Sequence, residues 1–167
     1  VQRPGVCNAL ETLLINSEIY QDMGSLIIEK LLENEVELFV DEKIKEDFPN
    51  LNLANESHYE TEFLDLKLAV KVVDSVDEAI EHIKIYSSGH TEAILTESTE
   101  VADTFAKSID SSVIFINSST RFTDGEMFGF GSEIGISTQK LHVRGPMGLE
   151  ALTNERYVVT GEGTVRG

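Results

Sequence analysis

The stretch LKLAVKVVDSVDEAIEHIKIYSSGHTEAILTESTEVADTFAKSIDSSVIFIN, residues 66–117, alternates apolar runs with amphipathic segments. Three of its runs are short, apolar and rich in β-branched side chains, which predicts strands at residues 66–73, 93–95 and 113–116. Between them, apolar side chains recur at helical spacing in two segments: one follows Ser75 or Asp74 as N-cap and runs through Ile85, and the other runs from Ser98 to Ser108. A strand–helix–strand succession favours parallel pairing under helices, so the stretch predicts an α/β domain.

The flanking sequence continues this alternation on the N-terminal side and loses it on the C-terminal side. The predicted upstream elements are a helix at 7–15, a helix at 19–33, a strand at 36–40, a short helix capped by Asp41 and a surface loop at 50–60. Residues 118–148 hold six of the twelve glycines and no clear periodicity, which is typical of a long functional loop. The tail, with Tyr157-Val158-Val159-Thr160, is predicted to form a strand or hairpin arm.

The composition limits the partners that this chain can have. Thirty acidic residues against thirteen basic ones give a formal charge of −17, which repels phosphate backbones and anionic lipid. We therefore expect neither a nucleic-acid nor a membrane partner. The one cysteine, Cys7, cannot form a disulfide within the chain, and residues 1–5 do not resemble a signal peptide. These features predict a soluble cytoplasmic domain, and no metal site is expected because no histidine stands near Cys7 at ligand spacing.

Cys7 follows a Pro-Gly turn at the start of the predicted helix over residues 7–15. At that place the helix dipole and the free N–H groups would lower the pKa of the thiol and would also stabilise an oxyanion beside it. The alternative is that Cys7 is a small buried apolar residue without chemical function. Position alone leaves both interpretations open.

Ordered motifs along nearly the whole chain resemble the gamma-glutamyl phosphate reductase family of the aldehyde dehydrogenase superfamily. The motifs are RPGVCNALETLL (3–14), TEFLDL (61–66) with VKVVD (70–74), SGHTEAI (88–94), STRFTDG (119–125) within 117–135, and STQKLH (137–142) with RGPMGL (144–149). The resemblance implies a three-layer α/β catalytic domain of the aldehyde-dehydrogenase type over residues 1–150, with a mostly parallel sheet. It also implies a C-terminal strand or oligomerisation arm over residues 151–167, and a dinucleotide-binding domain that this chain lacks.

The resemblance further implies the chemistry of this family. Cys7 would attack the carbonyl of L-glutamyl 5-phosphate, phosphate would leave, and NADPH would reduce the resulting thioester to L-glutamate 5-semialdehyde for proline synthesis. Thiolates suit this reaction because they are strong nucleophiles once their pKa is lowered. Two other readings stay open: a phosphate-independent aldehyde dehydrogenase, and a non-catalytic assembly domain in which Cys7 is inert. A homo-oligomer is expected, and glutamate 5-kinase is a possible partner.

The remaining site residues are assigned through the same resemblance. Glu62 would bind the nicotinamide ribose hydroxyls of the cofactor, for which a carboxylate is a good acceptor, although a solvated surface role is the alternative. Ser119, Thr120 and Arg121 follow a buried strand and would bind the substrate, since arginine binds carboxylate or phosphate in bidentate fashion. The alternative for these three is a capped surface turn.

Three further basic groups are candidates near the C-terminal end. Lys140, His142 and Arg144 alternate within five residues and would bind an anion such as the substrate phosphate, with His142 as the substrate-binding member. Salt bridges to surface carboxylates are the other interpretation. His90 lies in a Gly-His-Thr turn and would either reach the active site or bond its own loop. Glu126 stands where many relatives have glycine, which predicts an altered loop path if the backbone there needs positive φ.

Overall fold

The computed structural model describes residues 1–167. Its strands are β1 (Thr12–Asn16), β2 (Glu37–Val40), β3 (Asn52–Leu53), β4 (Lys67–Val73), β5 (Thr91–Ile94), β6 (Val113–Ile116), β7 (Ile134–Ile136) and β8 (Gly145–Met147). Its α-helices are α1 (Ser17–Glu33), α2 (Glu42–Asp47), α3 (Glu56–Glu60), α4 (Val76–Tyr86) and α5 (Thr99–Ser108). None of the helices is both long and apolar enough to cross a membrane.

The strands form a mostly parallel α/β architecture, as the sequence predicts. One sheet has the order β1-β4-β2-β3 with every pair parallel, and β5 pairs with β6 in parallel beside it. A short antiparallel hairpin, β7-β8, closes the C-terminal loop region. The strands of residues 66–117 are therefore divided: β4 pairs with β1 and β2, whereas β5 and β6 form a separate pair.

The predicted helix over residues 7–15 is wrong. Residues 4–9 form turns and residues 12–16 form β1, which pairs with β4 along its whole length, from Thr12 opposite Ala69 to Asn16 opposite Val73. Leu10, Leu13 and Leu14 fit a helical period, but pairing with a central strand outweighs a weak local preference. The predicted loop at 50–60 is also more ordered than expected, since it contains β3 and α3.

The main core lies between the four-stranded sheet and its helices. Ten buried side chains form it: Ile15, Tyr20, Ile28, Val36, Leu38, Val40, Ile44, Leu68, Val70 and Val72. A second cluster of Ile80, Phe105 and Ile109 joins α4 to α5. Asp41 connects two layers of the main core, because one carboxylate oxygen caps α2 through Ile44 N–H at 3.0 Å and the other accepts from Val72 N–H at 2.7 Å.

The tail has no regular structure after residue 152. Tyr157, Val158 and Val159 are 85%, 75% and 91% exposed, and their backbone pairs with no strand of this chain. The predicted strand is therefore not formed within the chain itself. A role for residues 151–167 as an oligomerisation arm stays a prediction.

Candidate active site

Cys7 lies in a tight turn on the wall of a groove between β1 and β5. The turn is closed by a hydrogen bond from Ala9 N–H to Val6 C=O at 2.9 Å. The groove encloses about 1270 Å³, and its lining includes Cys7, Glu11, Glu62, His90 and Thr120. The topology thus brings together four of the sequence motifs, from residues 7, 62, 90 and 120, at one end of the groove.

The electrostatic surroundings of Cys7 differ from the prediction. No helix begins at Cys7, so the lowering of its pKa by a helix dipole is wrong. Loss of hydration raises the pKa of the thiol, although the residue as a whole is exposed, and the negative charge of Glu133 raises it further. Glu62 adds to this effect, whereas a backbone hydrogen bond and the charge of Arg121 lower the pKa. Cys7 is thus a free thiol whose pKa is raised, first by loss of hydration and then by nearby acids.

Thr120 and Arg121 belong to a one-turn 3-10 helix, Thr120–Phe122, beside the Cys7 turn, and Ser119 directly precedes this helix. The Ser119 hydroxyl accepts from Arg121 N–H at 3.2 Å and so caps this segment. The Thr120 hydroxyl donates to the backbone oxygen of Asn8 at 2.7 Å, and the Arg121 guanidinium donates to the Asn8 side chain. Two of the predicted substrate residues, Thr120 and Arg121, therefore touch the residue next to Cys7.

Glu62 and Glu11 lie in the same groove, and sequence reasoning missed Glu11. Burial raises the pKa of Glu11 to about 7, and the charge of Glu62 adds to this effect. A backbone hydrogen bond from Phe63 opposes it. The signal in the sequence was available, because Glu11 is a lone acid directly before β1, between Leu10 and Thr12.

Glu11 gives the fold a pH dependence whose sign follows from its raised pKa. A carboxyl with a folded pKa near 7 and an ordinary value of 4.5 stabilises the fold fully below pH 4.5, and this contribution is lost as the pH rises through 7. We expect Glu11→Gln to raise the free energy of unfolding by about 1 kcal/mol at pH 8, after discounting for partial exposure, and to change it little at pH 4.5. Urea unfolding of both proteins at the two pH values measures this. An equal change at both pH values would contradict the assignment.

His90 joins a hydrogen-bonded chain that leads to the Cys7 turn. Its Nδ1 lies 2.7 Å from the Thr91 hydroxyl, which lies 3.0 Å from the Thr123 hydroxyl, and Thr123 C=O accepts from Asn8. Burial lowers the pKa of His90, while Glu133 and Glu62 act in the opposite direction. His90 thus both bonds its own loop and faces the groove.

The three basic groups near the C-terminal end lie outside the groove lining. Lys140 and Arg144 both form ion pairs with Asp110, and the Arg144 guanidinium lies 2.6 Å from that carboxylate. These pairs lower the pKa of Asp110. His142 is exposed and contacts its own loop, through Val143 C=O at 2.7 Å and the Gln139 side chain at 3.1 Å. Within this chain, none of the three contacts the Cys7 turn, and the substrate role of His142 stays a prediction.

The loop at Glu126 needs no special backbone conformation. The backbone φ of Glu126 is not positive, so a glutamate at this position causes no backbone strain where many relatives have glycine. Asp124 orders the turn by accepting from the backbone N–H groups of Glu126 and Met127, at 2.9 and 3.2 Å. Gly125 is required for packing, because a Cβ there would lie 2.5 Å from the Cβ of Glu133.

The groove has features that this chain leaves without partners. β1 pairs only with β4 and β5 only with β6, so each presents a free backbone edge. His82, which is 7% exposed, also lines the groove, and its Nε2 has no hydrogen-bond partner. Burial lowers the pKa of His82 to about 4. No group of three or more His, Cys, Asp or Glu side chains is arranged to hold a metal ion.

Sequence comparison relates nearly the whole chain to proteins of one name. A gamma-glutamyl phosphate reductase of Thermoanaerobacter is 54% identical over 166 residues, which are 99% of this chain and 40% of that protein. The chain thus spans about 40% of the length of the curated relatives it matches. No protein-family model matches the chain.

Structure comparison agrees with this relation. The crystal structure of gamma-glutamyl phosphate reductase from Thermotoga maritima matches with a TM-score of 0.89 and 52% identity, over 99% of this chain and 40% of that one. The crystal structure of the protein of the same name from Saccharomyces cerevisiae matches with a TM-score of 0.53 and 35% identity, over 72% of this chain and 32% of that one. An acetylating aldehyde dehydrogenase from Geobacillus thermoglucosidasius matches with a TM-score of 0.51 and 16% identity, over 72% of this chain and 35% of that one, and this match shows the shared fold alone.

Proposed function

We propose that this chain, which belongs to the gamma-glutamyl phosphate reductase family and matches about 40% of the length of its relatives, has a catalytic role in one reaction. The reaction is the NADPH-dependent reduction of L-glutamyl 5-phosphate to L-glutamate 5-semialdehyde and phosphate, a step of proline biosynthesis. One observation carries the proposal: the only cysteine, a free thiol, lies on the groove beside Arg121 and Glu62 in a chain 54% identical to such an enzyme.

The proposed covalent step uses Cys7 as nucleophile. The thiol loses its proton, the sulfur forms a bond to the acyl carbon, and the bond from that carbon to the phosphate oxygen breaks, so that inorganic phosphate leaves. The acidic surroundings oppose the loss of the proton, whereas Arg121 favours it. Arg121 also supplies the positive charge that an anionic acyl phosphate needs in a chain with a net charge of −17.

Glu62 is the proposed contact to the cofactor. It lines the groove with Cys7, and its charge reaches the thiol, so its position fits a ligand whose ribose hydroxyls bind a carboxylate. NADPH, when bound, supplies the hydride that reduces the acyl group. We further propose that this chain is part of a longer protein, comparable in length to its relatives, which is called the longer protein below. The free strand edges and the unpartnered His82 support the proposal that additional polypeptide of the longer protein completes this groove.

We also propose the partners of the protein and its compartment. The exposed strand-forming residues at 157–160 would add to a neighbouring copy of the protein, giving a homo-oligomer. Glutamate 5-kinase is the proposed supplier of the acyl phosphate. The cytoplasm is the proposed compartment, because a lone free cysteine suits reducing conditions.

Phosphate dependence distinguishes this reaction from its nearest alternative. In the reverse direction, the longer protein is expected to reduce NADP+ with L-glutamate 5-semialdehyde only when inorganic phosphate is present, because phosphate must take the acyl group from Cys7. The rate of NADPH formation is measured by absorbance with and without phosphate, with sulfate as the matched control anion. Equal rates in both would contradict the proposal and indicate a dehydrogenase that hydrolyses its acyl intermediate.

A further inference from the structure

Asn8, the residue after Cys7, connects the thiol turn to a segment more than a hundred positions away. It is only 5% exposed. Its side-chain N–H donates to Thr123 C=O at 2.7 Å, and its side-chain oxygen accepts from Arg121 Nη1. Its backbone oxygen accepts from the Thr120 hydroxyl at 2.7 Å. Asn8 thus holds three of the four residues 120–123, namely Thr120, Arg121 and Thr123.

An amide meets both demands at this place, because it carries a donor and an acceptor on one planar group. The bond to Thr123 needs a donor, and the bond from Arg121 needs an acceptor. An aspartate would offer acceptors only and would leave Thr123 C=O without its partner. An alanine would lose both bonds, and the buried guanidinium would then lose its support.

The guanidinium that Asn8 holds keeps one donor free. Arg121 Nε is buried and has no hydrogen-bond partner within the chain. The same guanidinium is near enough to Cys7 for its charge to lower the pKa of the thiol. The charge of a guanidinium that is fixed beside a nucleophile favours an anionic group on a molecule that reacts at that nucleophile.

We propose that Asn8 is a positioning residue, which fixes the Arg121 guanidinium relative to the Cys7 sulfur so that anionic reactants are favoured at the thiol. Asn8 itself touches neither the reacting sulfur nor the reactant. Its effect passes through the orientation of Arg121. The identity of the natural reactant as an acyl phosphate rests on the proposed function, but the positioning role does not.

Alkylation of Cys7 by two reagents, carried out on the longer protein and followed at Cys7 by peptide mass spectrometry, tests the role directly. Iodoacetate is an anion and iodoacetamide is its neutral counterpart, and both attack the same thiolate. The ratio of their rates at one pH therefore cancels any change in the ionised fraction of the thiol. We expect Asn8→Ala to lower the iodoacetate-to-iodoacetamide ratio about fivefold, close to the effect of Arg121→Ala. Asn34→Ala, which removes an amide bonded to Lys30 C=O in α1, serves as control and should leave the ratio unchanged.

The double variant gives a second and stricter result. If Asn8 acts through Arg121, Asn8→Ala in the Arg121→Ala background should lower the ratio no further. Asn8→Asp, which keeps an acceptor for Arg121 but neutralises its charge, should also lower the ratio and replaces Asn8→Ala if that variant does not fold. A wild-type ratio in a folded Asn8 variant, or a further drop in the double variant, would overturn the proposal.

The outcome is separable from that of the proposed function. Alkylation needs neither cofactor nor acyl phosphate. If the longer protein shows no phosphate-dependent reduction while the ratio falls as expected, the proposed function fails and the positioning role stands. If reduction is phosphate-dependent while the ratio stays at its wild-type value, the positioning role fails alone.

Discussion

Replacing Cys7 with serine is expected to lower the NADP+-reducing activity of the longer protein by a factor on the order of 10⁴ or more. A serine hydroxyl stays protonated at neutral pH, and Cys7 has no histidine bonded to it that could activate a hydroxyl in its place. Even a thiol whose pKa is raised by Glu133 and Glu62 ionises far more readily than an alcohol. Steady-state assays of NADPH formation with semialdehyde and phosphate measure the loss.

The control for this variant is its stability. Cys7 is exposed and its side chain is hydrogen-bonded to no other residue, so Cys7→Ser should change the free energy of unfolding by less than about 0.5 kcal/mol. Loss of activity in a protein that unfolds at the wild-type temperature then reports chemistry rather than folding. Retention of activity within about tenfold would show that another group is the nucleophile.

Leu38→Ala is expected to have the largest effect on stability. Leu38 is 2% exposed on β2, between β4 and β3, and it lies opposite Leu68 within the main core. Truncation in such a place removes buried methyl groups and leaves a cavity that a close-packed sheet cannot fill, which costs about 2–5 kcal/mol. That is a large share of the roughly 5–15 kcal/mol that stabilises an ordinary domain. Urea unfolding followed by circular dichroism measures the change.

Leu53→Ala provides the matched comparison on a neighbouring strand of the same sheet. Leu53 lies on β3 and is 49% exposed, so its truncation should cost less than about 1 kcal/mol. The two variants remove the same atoms and differ only in burial. Equal losses would show that the four-stranded sheet does not pack as described.

Elements with a local signature were predictable from the sequence. The helix at 19–33 appears as α1, the strand at 36–40 as β2 and the helix at 98–108 as α5. Ser75, one of the two predicted N-caps, caps α4 through Glu78 N–H at 3.1 Å. In each case the signal, a periodic pattern or a capping side chain, lies within a few residues of the chain. Such signals survive without knowledge of the tertiary fold.

β1 shows where local reasoning fails. Its apolar residues fit a helix equally well, and only the vacant edge of β4 decides in favour of a strand. The error extended to the chemistry, because the expected pKa of Cys7 depended on a helix that is not there. Loss of hydration raises this pKa instead, and the charges of Glu133 and Glu62, which come from distant parts of the chain, raise it further.

The residues of the candidate site could be predicted only in part, because many of its contacts join distant parts of the chain. Cys7, Thr120 and Arg121 were found through motif resemblance, and the structure brings their segments together. Asn8 was not singled out, because its bonds cross 112 to 115 positions and no local pattern reports them. Lys140 and Arg144 were candidates for anion binding only as long as they were unpaired cations. Their shared partner Asp110 lies 30 and 34 positions away, so no local pattern reveals these ion pairs.

The most direct test of the central claim, that Cys7 carries the acyl group, is rapid mixing of the longer protein with NADP+ and L-glutamate 5-semialdehyde in the absence of phosphate. We predict a burst of NADPH stoichiometric with Cys7, followed by sustained turnover once phosphate is added, and no burst from Cys7→Ser. A wild-type protein that turns over without a burst in the absence of phosphate, or a burst of equal size from Cys7→Ser, would contradict the account.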